Sequence, residues 1–416
     1  MLTWFKIAVR NLYKNGRRSL FTMLAIALGF AAVSVFGGFT EYIFTGLQNA
    51  HIYIQANGHV VIYKKGYNEH GKTDTSSYLL SKKEVSEISH MVADIPDVEL
   101  ATGYLQFSGL LSNGDTSTIM IAIGRKPSDV IRIQKSGSTK LNKMQLFRGR
   151  NLQDDIDYGV GLSAGLAEIL NLNIESDAIA MAPTLDGQIN ALDVQVFLTF
   201  NSPIAALNDK LMVVPLSFAQ SLYDTTNVNK IILLLTETEL TSPVVKKLNS
   251  VIDKHNLDYE VRAWSDEAVF HAKVKDMFDV IFAFIFTIVL VIVVVSVINT
   301  ISMSVMERIR EIGTLRALGV NRRGIISLFA LESSLLGLFG SVIGCVVTLV
   351  CWFCVKVFQP MWIPPNISVK VPLEVYLVPK YLIISFVFLV VLSLVSAILP
   401  AKKAANLGIV NALGHN

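Results

Sequence analysis

The sequence has 416 residues, of which 52% are hydrophobic and only 17% are charged, and its mean hydropathy is +0.50. This composition excludes an ordinary soluble globular protein and indicates a chain that is at least partly embedded in a membrane. The net charge of +3 does not favour a nucleic-acid-binding protein with a dominant basic face. Cys345, Cys351 and Cys354 lie in one apolar stretch, which excludes a disulfide framework and a multi-cysteine metal site.

Four apolar stretches are long enough to cross a bilayer as helices, which takes about 20 residues for a hydrocarbon core of roughly 30 Å. They are Leu20–Phe39, Phe278–Ile301, Ile325–Cys354 and Tyr381–Leu399. The block between the first two stretches, residues 40–275, has ordinary polarity. The sequence therefore predicts a membrane protein with four transmembrane α-helices and a large α+β extracytoplasmic domain between helices 1 and 2.

The basic residues that flank the spans predict the orientation of the chain. The block 40–275 carries 21 basic and 27 acidic residues, which suits a domain outside the cytoplasm. Twelve basic residues flank the spans on the other side: Lys6, Arg10, Lys14, Arg17, Arg18, Arg308, Arg310, Arg316, Arg322, Arg323, Lys402 and Lys403. We therefore expect a multi-pass protein of the inner (cytoplasmic) membrane, with both termini in the cytoplasm and the large domain in the periplasm.

The expected organisation has nine segments. In chain order they are a cytoplasmic amphipathic segment (1–19), helix 1 with an outward extension (20–50), the outer domain (51–265), helix 2 with an outward extension (266–305), a cytoplasmic coupling helix (306–324), helix 3 (325–355), an external loop (356–380), helix 4 (381–400) and a cytoplasmic tail (401–416). For the first segment, a merely positive flank that sets the orientation is an equal alternative to an amphipathic helix on the inner leaflet.

Within the outer block, β-rich runs alternate with helical patterns, which predicts a mixed α+β domain. Ser81 is a good N-cap, with Glu84 three residues on, for a helix through Met91. A division into two lobes is placed near 141–149. The predicted strands are His59–Tyr63, Thr118–Ile123, Ala178–Ala182, Val194–Phe200, Leu211–Val214, Lys230–Leu235 and Tyr259–Val261, and the other helices are Ser163–Leu170, Leu216–Tyr223 and Ser242–His255.

Catalytic and metal-binding patterns are not evident in this block. The histidines lack the H-E-x-x-H spacing of a zinc site, and the acidic run Asp154, Asp155 and Asp157 lacks the glycine and the distal glutamate of a calcium loop. We expect no catalytic residue, no metal and no cofactor in this chain. We also expect it to lack a nucleotide-binding G-x-x-x-x-G-K-[ST] loop, so that any ATP is hydrolysed by another polypeptide.

After the second predicted span, the residues from Asn299 to Gly319 read N-T-I-S-M-S-V-M-E-R-I-R-E-I-G-T-L-R-A-L-G. The pattern predicts a transmembrane helix that continues out of the membrane with an apolar stripe on one face and charges on the others. Gly319 suits the position after a helix end, and Gly313 indicates close approach of another backbone. A solvated amphipathic loop helix is the alternative. The stripe consists of Val305, Ile309, Ile312, Leu315 and Leu318.

This segment closely resembles the signature of the FtsX/MacB/LolC-LolE permease family, the four-span subunits of type VII ABC transporters. The resemblance continues in outline through the outer domain, which looks like a MacB-like periplasmic core. The tail 409–414 departs from the family pattern because it lacks the usual proline and arginine. Further matching residues are Phe329, Glu332, Leu336, Gly337, Gly340 and Gly344 in the third span, and Pro400, Ala401, Ala404 and Ala405 after the fourth.

The resemblance implies a non-catalytic permease subunit that transmits an ATP-driven conformational change to a periplasmic domain. ATP and Mg²⁺ would be bound by a separate dimeric ABC ATPase, and a second permease copy, identical or different, would complete the complex. Lipoprotein release or MacB-like export is the first interpretation of the function, with a lipoprotein or an accessory protein as the periplasmic partner. The alternative is an FtsX-like signalling scaffold that activates a cell-wall hydrolase. The implied ATPase-coupling residues are Glu307, Arg308, Arg310, Glu311, Gly313, Arg316 and Gly319.

Two further features lie in the third predicted span. Glu332 lies seven residues into it, where a carboxylate is expensive, so Glu332 is either a functional residue or one that forms a structural hydrogen bond with a neighbouring helix. Gly337, Gly340 and Gly344 predict close packing against other helices.

Overall fold

The computed structural model describes residues 2–14, 16–71, 73–137, 148–202, 205–362 and 370–406. The chain forms two compact units. The helical unit contains the residues up to Phe44, Val274–Pro360 and the residues from Pro372 onward. The outer domain contains Thr45–Lys273 and Met361–Val371. The expected lobe division near 141–149 lies mostly outside the described residues.

The described part of the chain is rich in helices of very different lengths. In chain order they are α1 (Leu2–Lys14), α2 (Gly16–Asn49), α3 (Tyr67–His70), α4 (Thr75–Tyr78), α5 (Lys82–Ala93), α6 (Pro127–Ser136), α7 (Ala164–Ile169), α8 (Leu216–Leu222), α9 (Thr241–His255), α10 (Trp264–Glu267), α11 (Val269–Glu307), α12 (Ile309–Ala317), α13 (Arg322–Phe358) and α14 (Pro379–Ala405). A π-helical turn, Ala50–Ile54, continues α2.

The strands lie in the outer domain, except that the last residue of β12, Pro372, belongs to the helical unit. In chain order they are β1 (Val60–Lys64), β2 (Val98–Ser112), β3 (Ser117–Arg125), β4 (Arg148–Gly149), β5 (Gly159–Ser163), β6 (Asp177–Pro183), β7 (Ile189–Phe200), β8 (Leu211–Pro215), β9 (Lys230–Leu235), β10 (Tyr259–Ala263), β11 (Met361–Trp362) and β12 (Val371–Pro372).

Four helices are long and apolar enough to cross a membrane, and each contains one predicted span. The prediction of four transmembrane helices is therefore confirmed. Their ranges are Gly16–Ile54, Phe270–Glu307, Arg322–Phe358 and Pro379–Ala405. At 1.5 Å per residue, the 39 residues of α11 extend for about 58 Å, nearly twice the thickness of the hydrocarbon core. The first two spans thus belong to helices that are longer than the hydrocarbon core is thick.

Glycines in α13 allow close contact with two neighbouring helices. A Cβ atom at Gly344 would lie 2.6 Å from the Cβ of Phe30, and one at Gly340 would lie 2.8 Å from the Cβ of Ile26. Both neighbours belong to α2. At Gly337 a Cβ would lie 2.8 Å from the hydroxyl oxygen of Ser393 in α14. The three glycines therefore lie where α13 is too close to α2 and α14 for a side chain.

In the described residues, the outer domain is built on one ten-stranded sheet with two main hydrophobic cores. The first core lies between strands β1, β9 and β10 and helices α5 and α9. Helix α5 begins with the predicted capping box, in which Ser81 and Glu84 exchange hydrogen bonds. The second core fills a closed ring of pairings, β2–β3–β8–β5–β7–β6–β2, together with α7 and α8.

Strand β2 joins the two cores because its first half pairs with β9 and its second half pairs with β6. All seven predicted strands are present, and the mixed α+β domain is confirmed. Of the ten strands of this sheet, the predictions missed β2, β5 and the two-residue β4. Strand β2 contains Gly103 and Gly109, which interrupt its pattern in the sequence, and β5 is buried along its whole length and shows no alternation.

We expect the substitution Gly344→Leu to destabilise the helical unit. A side chain at this position overlaps Phe30 and the carbonyl oxygen of Ala27, and overpacking of this kind costs about 1–3 kcal/mol. The measurement is the thermal unfolding midpoint of the detergent-solubilised protein. Val342→Leu is the matched control, because Val342 lies on the same helix and is 47% exposed. Equal midpoints for the two variants would contradict the packing argument.

Candidate functional site

The candidate site is the segment that connects the second and third spans, residues 306–324, which we call the coupling segment. Helix α11 ends at Glu307, and Arg308 has a non-helical conformation (φ −120°, ψ 22°). Helix α12 then runs to Ala317, and Gly319 adopts φ 96°, which favours glycine. The predicted helix is therefore interrupted at Arg308 rather than continuous, and the interruption separates the membrane helix from a short helix beyond it.

The side chain of Arg308 points into the helical unit and pairs with two carboxylates. Its Nη1 donates to Oε1 of Glu332 at 2.8 Å, and its Nε donates to Oε2 of Glu311 at 2.8 Å. The side-chain amide of Asn11 in α1 donates to the same oxygen of Glu332. Arg308 is 9% exposed and Glu332 only 3%. The carboxylate of Glu332 thus joins α1, α13 and the break between α11 and α12.

Further polar contacts attach the coupling segment to the other helices. Nη2 of Arg18, near the start of α2, lies 2.9 Å from Oε1 of Glu307. Nη1 of Arg316 donates to the carbonyl oxygen of Ala405 at the end of α14, at 3.0 Å. The side chain of Asn321 caps α13 by accepting from the amide of Gly324 at 2.8 Å. The segment is consequently bonded to α2, α13 and α14 and is continuous with α11.

The apolar stripe of the coupling segment faces the chain's own bundle. Val305, Ile309 and Ile312 are buried, and Leu315 packs against the bundle core. Only Leu318, which is 78% exposed, is open to a partner. For most of its length the stripe therefore supplies contact area within the chain and not to a partner. Burial of these side chains inside the unit is favoured because all four long helices contribute apolar side chains to the same core.

The predicted ATPase-coupling residues divide into an inner and an outer set. Arg308 and Gly313 are buried, and Arg316 is half-buried. The outer set is exposed and consists of Glu307, Arg310, Glu311 and Gly319, together with Met306, Thr314 and Leu318. A partner that binds the coupling segment would meet this mixed acidic, basic and apolar outer face.

Three contributors to this site were not predicted as site residues. Asn11 and Arg18 lie in the basic N-terminal region, where only their helical and topological roles were considered. The third contributor is the carbonyl oxygen of Ala405, which no sequence pattern distinguishes. The sequence position of Arg18 is a weak indication that it contacts another element, since it is the last basic residue before an apolar helix. Ala8 is fully buried and Leu12 packs on the bundle core, so α1 is attached to the unit as well as amphipathic.

No group of three or more histidine, cysteine or acidic side chains in the described ranges has the geometry of a metal site. His59 belongs to the core of the outer domain, where its Nδ1 accepts from the amide of Leu235 at 3.0 Å. Burial lowers the pKa of His59 to about 4. Asp154 of the acidic run accepts hydrogen bonds from the amide and hydroxyl of Ser128 at the start of α6. These residues therefore have structural roles.

The expectation that the chain lacks the letter pattern G-x-x-x-x-G-K-[ST] is wrong, because residues 66–73 read G-Y-N-E-H-G-K-T. A phosphate loop needs free backbone amides that point at the ligand. Here the amides of Glu69, His70 and Gly71 donate to carbonyl oxygens of the same turn, which forms α3. Lys72 lies outside the described residues. The segment also belongs to the outer domain, so the match does not mark an ATP site.

Two family models match the chain. One describes an FtsX-like permease C-terminal domain and matches residues 283–409. The other describes a MacB-like periplasmic core domain and matches residues 19–251, which is more than half of the chain. The first covers the last three spans, and the second begins in the first span and covers most of the outer domain.

Individual relatives match over shorter stretches. An ABC transporter permease of Methanocaldococcus jannaschii is 48% identical over 48 residues, which is 12% of either chain. The macrolide export ATP-binding/permease protein MacB of Escherichia coli K12 is 31% identical over 117 residues, which is 28% of this chain. The matches span 12% and 16% of the length of these relatives.

Solved structures match about half of the chain at low identity. The extracellular domain of the ABC-type transporter YknZ from Gram-positive bacteria has a TM-score of 0.34 and 13% identity, over 49% of this chain and 98% of that one. The periplasmic region of MacB from Actinobacillus actinomycetemcomitans has a TM-score of 0.35 and 12% identity, over 54% and 94%. Since the family models account for the spans and for the domain between them, this multi-pass membrane protein with an extracytoplasmic domain belongs to the FtsX/MacB family of ABC transporter permeases.

Proposed function

We propose that this chain is the non-catalytic permease subunit of an ATP-driven complex and transmits movement from a separate ABC ATPase dimer to its periplasmic domain. The observation that carries the proposal is the coupling segment, which is continuous with one span, is bonded to the other three and exposes its outer face. A partner that pushes on such a segment moves the spans with it. The partner ATPase would bind ATP and Mg²⁺, because the described residues offer no phosphate loop of the required geometry.

The outer face of the coupling segment suits a protein partner. Glu307, Arg310 and Glu311 present charges of both signs within five residues, and Leu318 adds an exposed apolar side chain. Charges of this kind set the register of a complex, whereas contact with an apolar side chain supplies affinity. We propose that the ATPase binds this face. A second permease, identical or different, would provide the matching contact for the second ATPase subunit.

We propose that both termini and the coupling segment lie in the cytoplasm. The support is the excess of Lys and Arg beside the spans and the acidic excess of the outer domain. This orientation places the coupling segment on the side where ATP is available. The protein would then reside in the inner membrane with its large domain in the periplasm.

For the periplasmic activity we propose export or release of a substrate from the periplasmic side, with a lipoprotein or a small hydrophobic molecule as the substrate. Export is supported by the name of the MacB relatives, and lipoprotein release by the domain order that the sequence shares with the lipoprotein-releasing members of the family. An FtsX-like scaffold that activates a cell-wall hydrolase is disfavoured by the size of the outer domain, Thr45–Lys273. The proteins that copurify with the chain distinguish these functions.

We propose that Glu332 acts as the anchor of the coupling segment and not as a residue whose ionisation changes during transport. Its carboxylate accepts two hydrogen bonds, and one donor is the permanently charged Arg308. Breaking a buried ion pair by removal of one partner is strongly destabilising, whereas removal of both charges is often neutral. Because loss of either partner is costly, the pair holds Arg308, and with it the break between α11 and α12, against Glu332.

The orientation is tested by cysteine labelling in intact spheroplasts. In a background with the three native cysteines replaced by serine, cysteines at Asn57 and Asn227 should react with an impermeant maleimide. A cysteine at Asn321 should react only after the membrane is opened. Labelling of position 321 from outside would reverse the proposed orientation.

The role of the outer face is tested by charge reversal with a compensating swap. We expect Glu307→Lys with Glu311→Lys to abolish ATPase copurification or substrate-stimulated hydrolysis, because loss of one partner of an interfacial pair costs about 2–5 kcal/mol. Glu307→Arg with Arg18→Glu keeps the internal ion pair but reverses its polarity. If the swapped variant binds the ATPase as well as the wild type does, Glu307 serves only the internal pair, and the docking proposal is wrong for Glu307.

The anchor role of Glu332 predicts a graded series. Glu332→Gln keeps both hydrogen-bond acceptor contacts and should retain most of the transport activity. Arg308→Met should reduce the folded yield, because it leaves the Glu332 carboxylate buried without its cation. Arg308→Met with Glu332→Leu should recover the yield. Loss of transport in Glu332→Gln at normal yield and normal ATPase binding would show that ionisation of Glu332 is used.

A further inference from the structure

The inference concerns the two places at which the chain enters and leaves the outer domain, and it rests on the proposed function. Helix α2 ends in the π turn Ala50–Ile54, and the chain then enters β1 at Val60. Strand β10 ends at Ala263, and α10 leads into α11. Strands β1 and β10 are antiparallel neighbours in which Val60 pairs with Ala263. The entering and leaving segments are therefore held side by side at one end of one ladder.

The leaving segment is anchored by Glu267, the last residue of α10. The hydroxyl of Tyr63 donates to its Oε2 at 2.5 Å, and Nζ of Lys230 lies 3.5 Å from the same oxygen. Nη1 of Arg262 lies 3.9 Å from the other carboxylate oxygen. The side chains of Lys230 and Glu267 are 13% and 16% exposed. The turn that directly precedes α11 is thus attached to β1 and β9 by a largely desolvated ion pair.

The entering segment is anchored by Arg125, the last residue of β3. Its Nη1 donates to the carbonyl oxygens of Gln55 at 2.7 Å and Ala56 at 2.9 Å. Ala56 is fully buried and adopts φ 51°, in the left-handed region that is unfavourable for alanine. The side-chain amide of Gln134 donates to the carbonyl oxygen of Ile54 at 3.2 Å. Two side chains therefore hold the backbone of the turn that directly follows α2 and its π turn.

The two anchors share one aromatic and cationic cluster. The ammonium of Lys230 lies 5.3 Å from the ring centre of Tyr63 and 4.8 Å from that of Tyr104. The guanidinium of Arg125 lies 5.6 Å from the same ring of Tyr104. Burial lowers the pKa of Lys230, and the carboxylate of Glu267 opposes that shift. Burying charged groups in this cluster costs desolvation energy, and apolar side chains at the same positions would avoid that cost.

We propose that Arg125, Lys230 and Glu267 form a rigid joint through which movement of α2 and α11 reaches the outer domain. Charge-assisted hydrogen bonds are short and directional, so they resist a change in angle more strongly than apolar contacts, which allow sliding. Arg125 holds the turn behind one long helix, and Glu267 holds the turn in front of the other. The three side chains are positioning residues, and they bind neither substrate nor nucleotide.

The test compares movement with ATP hydrolysis in the full complex reconstituted with the ATPase that copurifies with the chain. Spin labels at Asp115 and Lys380, in the cysteine-free background, report a distance between the outer domain and α14. Lys230→Met with Glu267→Leu removes both charges and substitutes apolar side chains. We expect this variant to keep its thermal midpoint and an ATPase rate within about twofold of wild type. The ATP-dependent distance change should fall below half of the wild-type change.

The control removes a surface ion pair of the same domain. Glu99→Leu with Arg132→Met breaks a 3.2 Å pair that is largely exposed and should leave the distance change intact. A full distance change in the Lys230→Met, Glu267→Leu variant would overturn the joint. If that variant does not fold, Glu267→Gln decides instead, because it keeps the bond from Tyr63 but loses the attraction to Lys230. A wild-type distance change in Glu267→Gln overturns the joint, and a reduced one supports it.

The failure of the proposed function has a different signature. In that case the wild-type complex itself shows no ATP-dependent change between positions 115 and 380, which overturns the function and the joint together. Failure of the joint alone appears only in the variants, with a normal wild type. A wild-type distance change in Lys230→Arg, which keeps the positive charge opposite Glu267, supports the joint further. We expect Lys230→Met, in contrast, to reduce the ATP-dependent distance change.

Discussion

The buried carboxylate of Glu332 is the contact on which the arrangement of the coupling segment depends. A charge inside an apolar helix bundle is tolerated only when a counter-charge and hydrogen-bond donors surround it. Arg308 and Asn11 meet this requirement, and they come from two different parts of the chain. The interruption between α11 and α12 lies at Arg308 itself, the residue that pairs with this carboxylate. The coupling segment is consequently part of the bundle and not a free loop.

The same constraint operates in the outer domain at the points where the chain enters and leaves it. Two hydrophobic cores provide the favourable burial that stabilises this domain. The ion pair between Lys230 and Glu267 and the contacts of Arg125 add directional bonds at the two chain crossings. Directional bonds of this kind restrict rotation and sliding more than apolar contacts do. In both units, buried charges therefore lie at the junctions between elements.

The segment 66–73 shows why a letter pattern alone does not identify a nucleotide site. Its glycine, lysine and threonine occupy the positions of a phosphate loop, and β1 precedes it. The backbone nevertheless closes into the short helix α3, so the amides of Glu69, His70 and Gly71 are already bonded within the turn. Phosphate binding depends on unpaired amides in a defined geometry, and the order of residue types specifies this geometry only when the local fold agrees.

The sequence by itself determined the four spans, the mixed α+β domain between the first two and the family, because long apolar runs, alternating patterns and one long motif are local signals. It also indicated that Gly337, Gly340 and Gly344 lie at helix contacts, since small residues at this spacing have few other uses. It did not reveal β2, whose glycines hide its alternation, or the inward direction of the stripe at 305–315. Only the tertiary structure decided that Glu332 pairs with Arg308 and Asn11, and that Lys230 pairs with Glu267. These partners are separated by 24 residues or more, and a pairing at that distance depends on how the helices and strands pack, which no local pattern encodes.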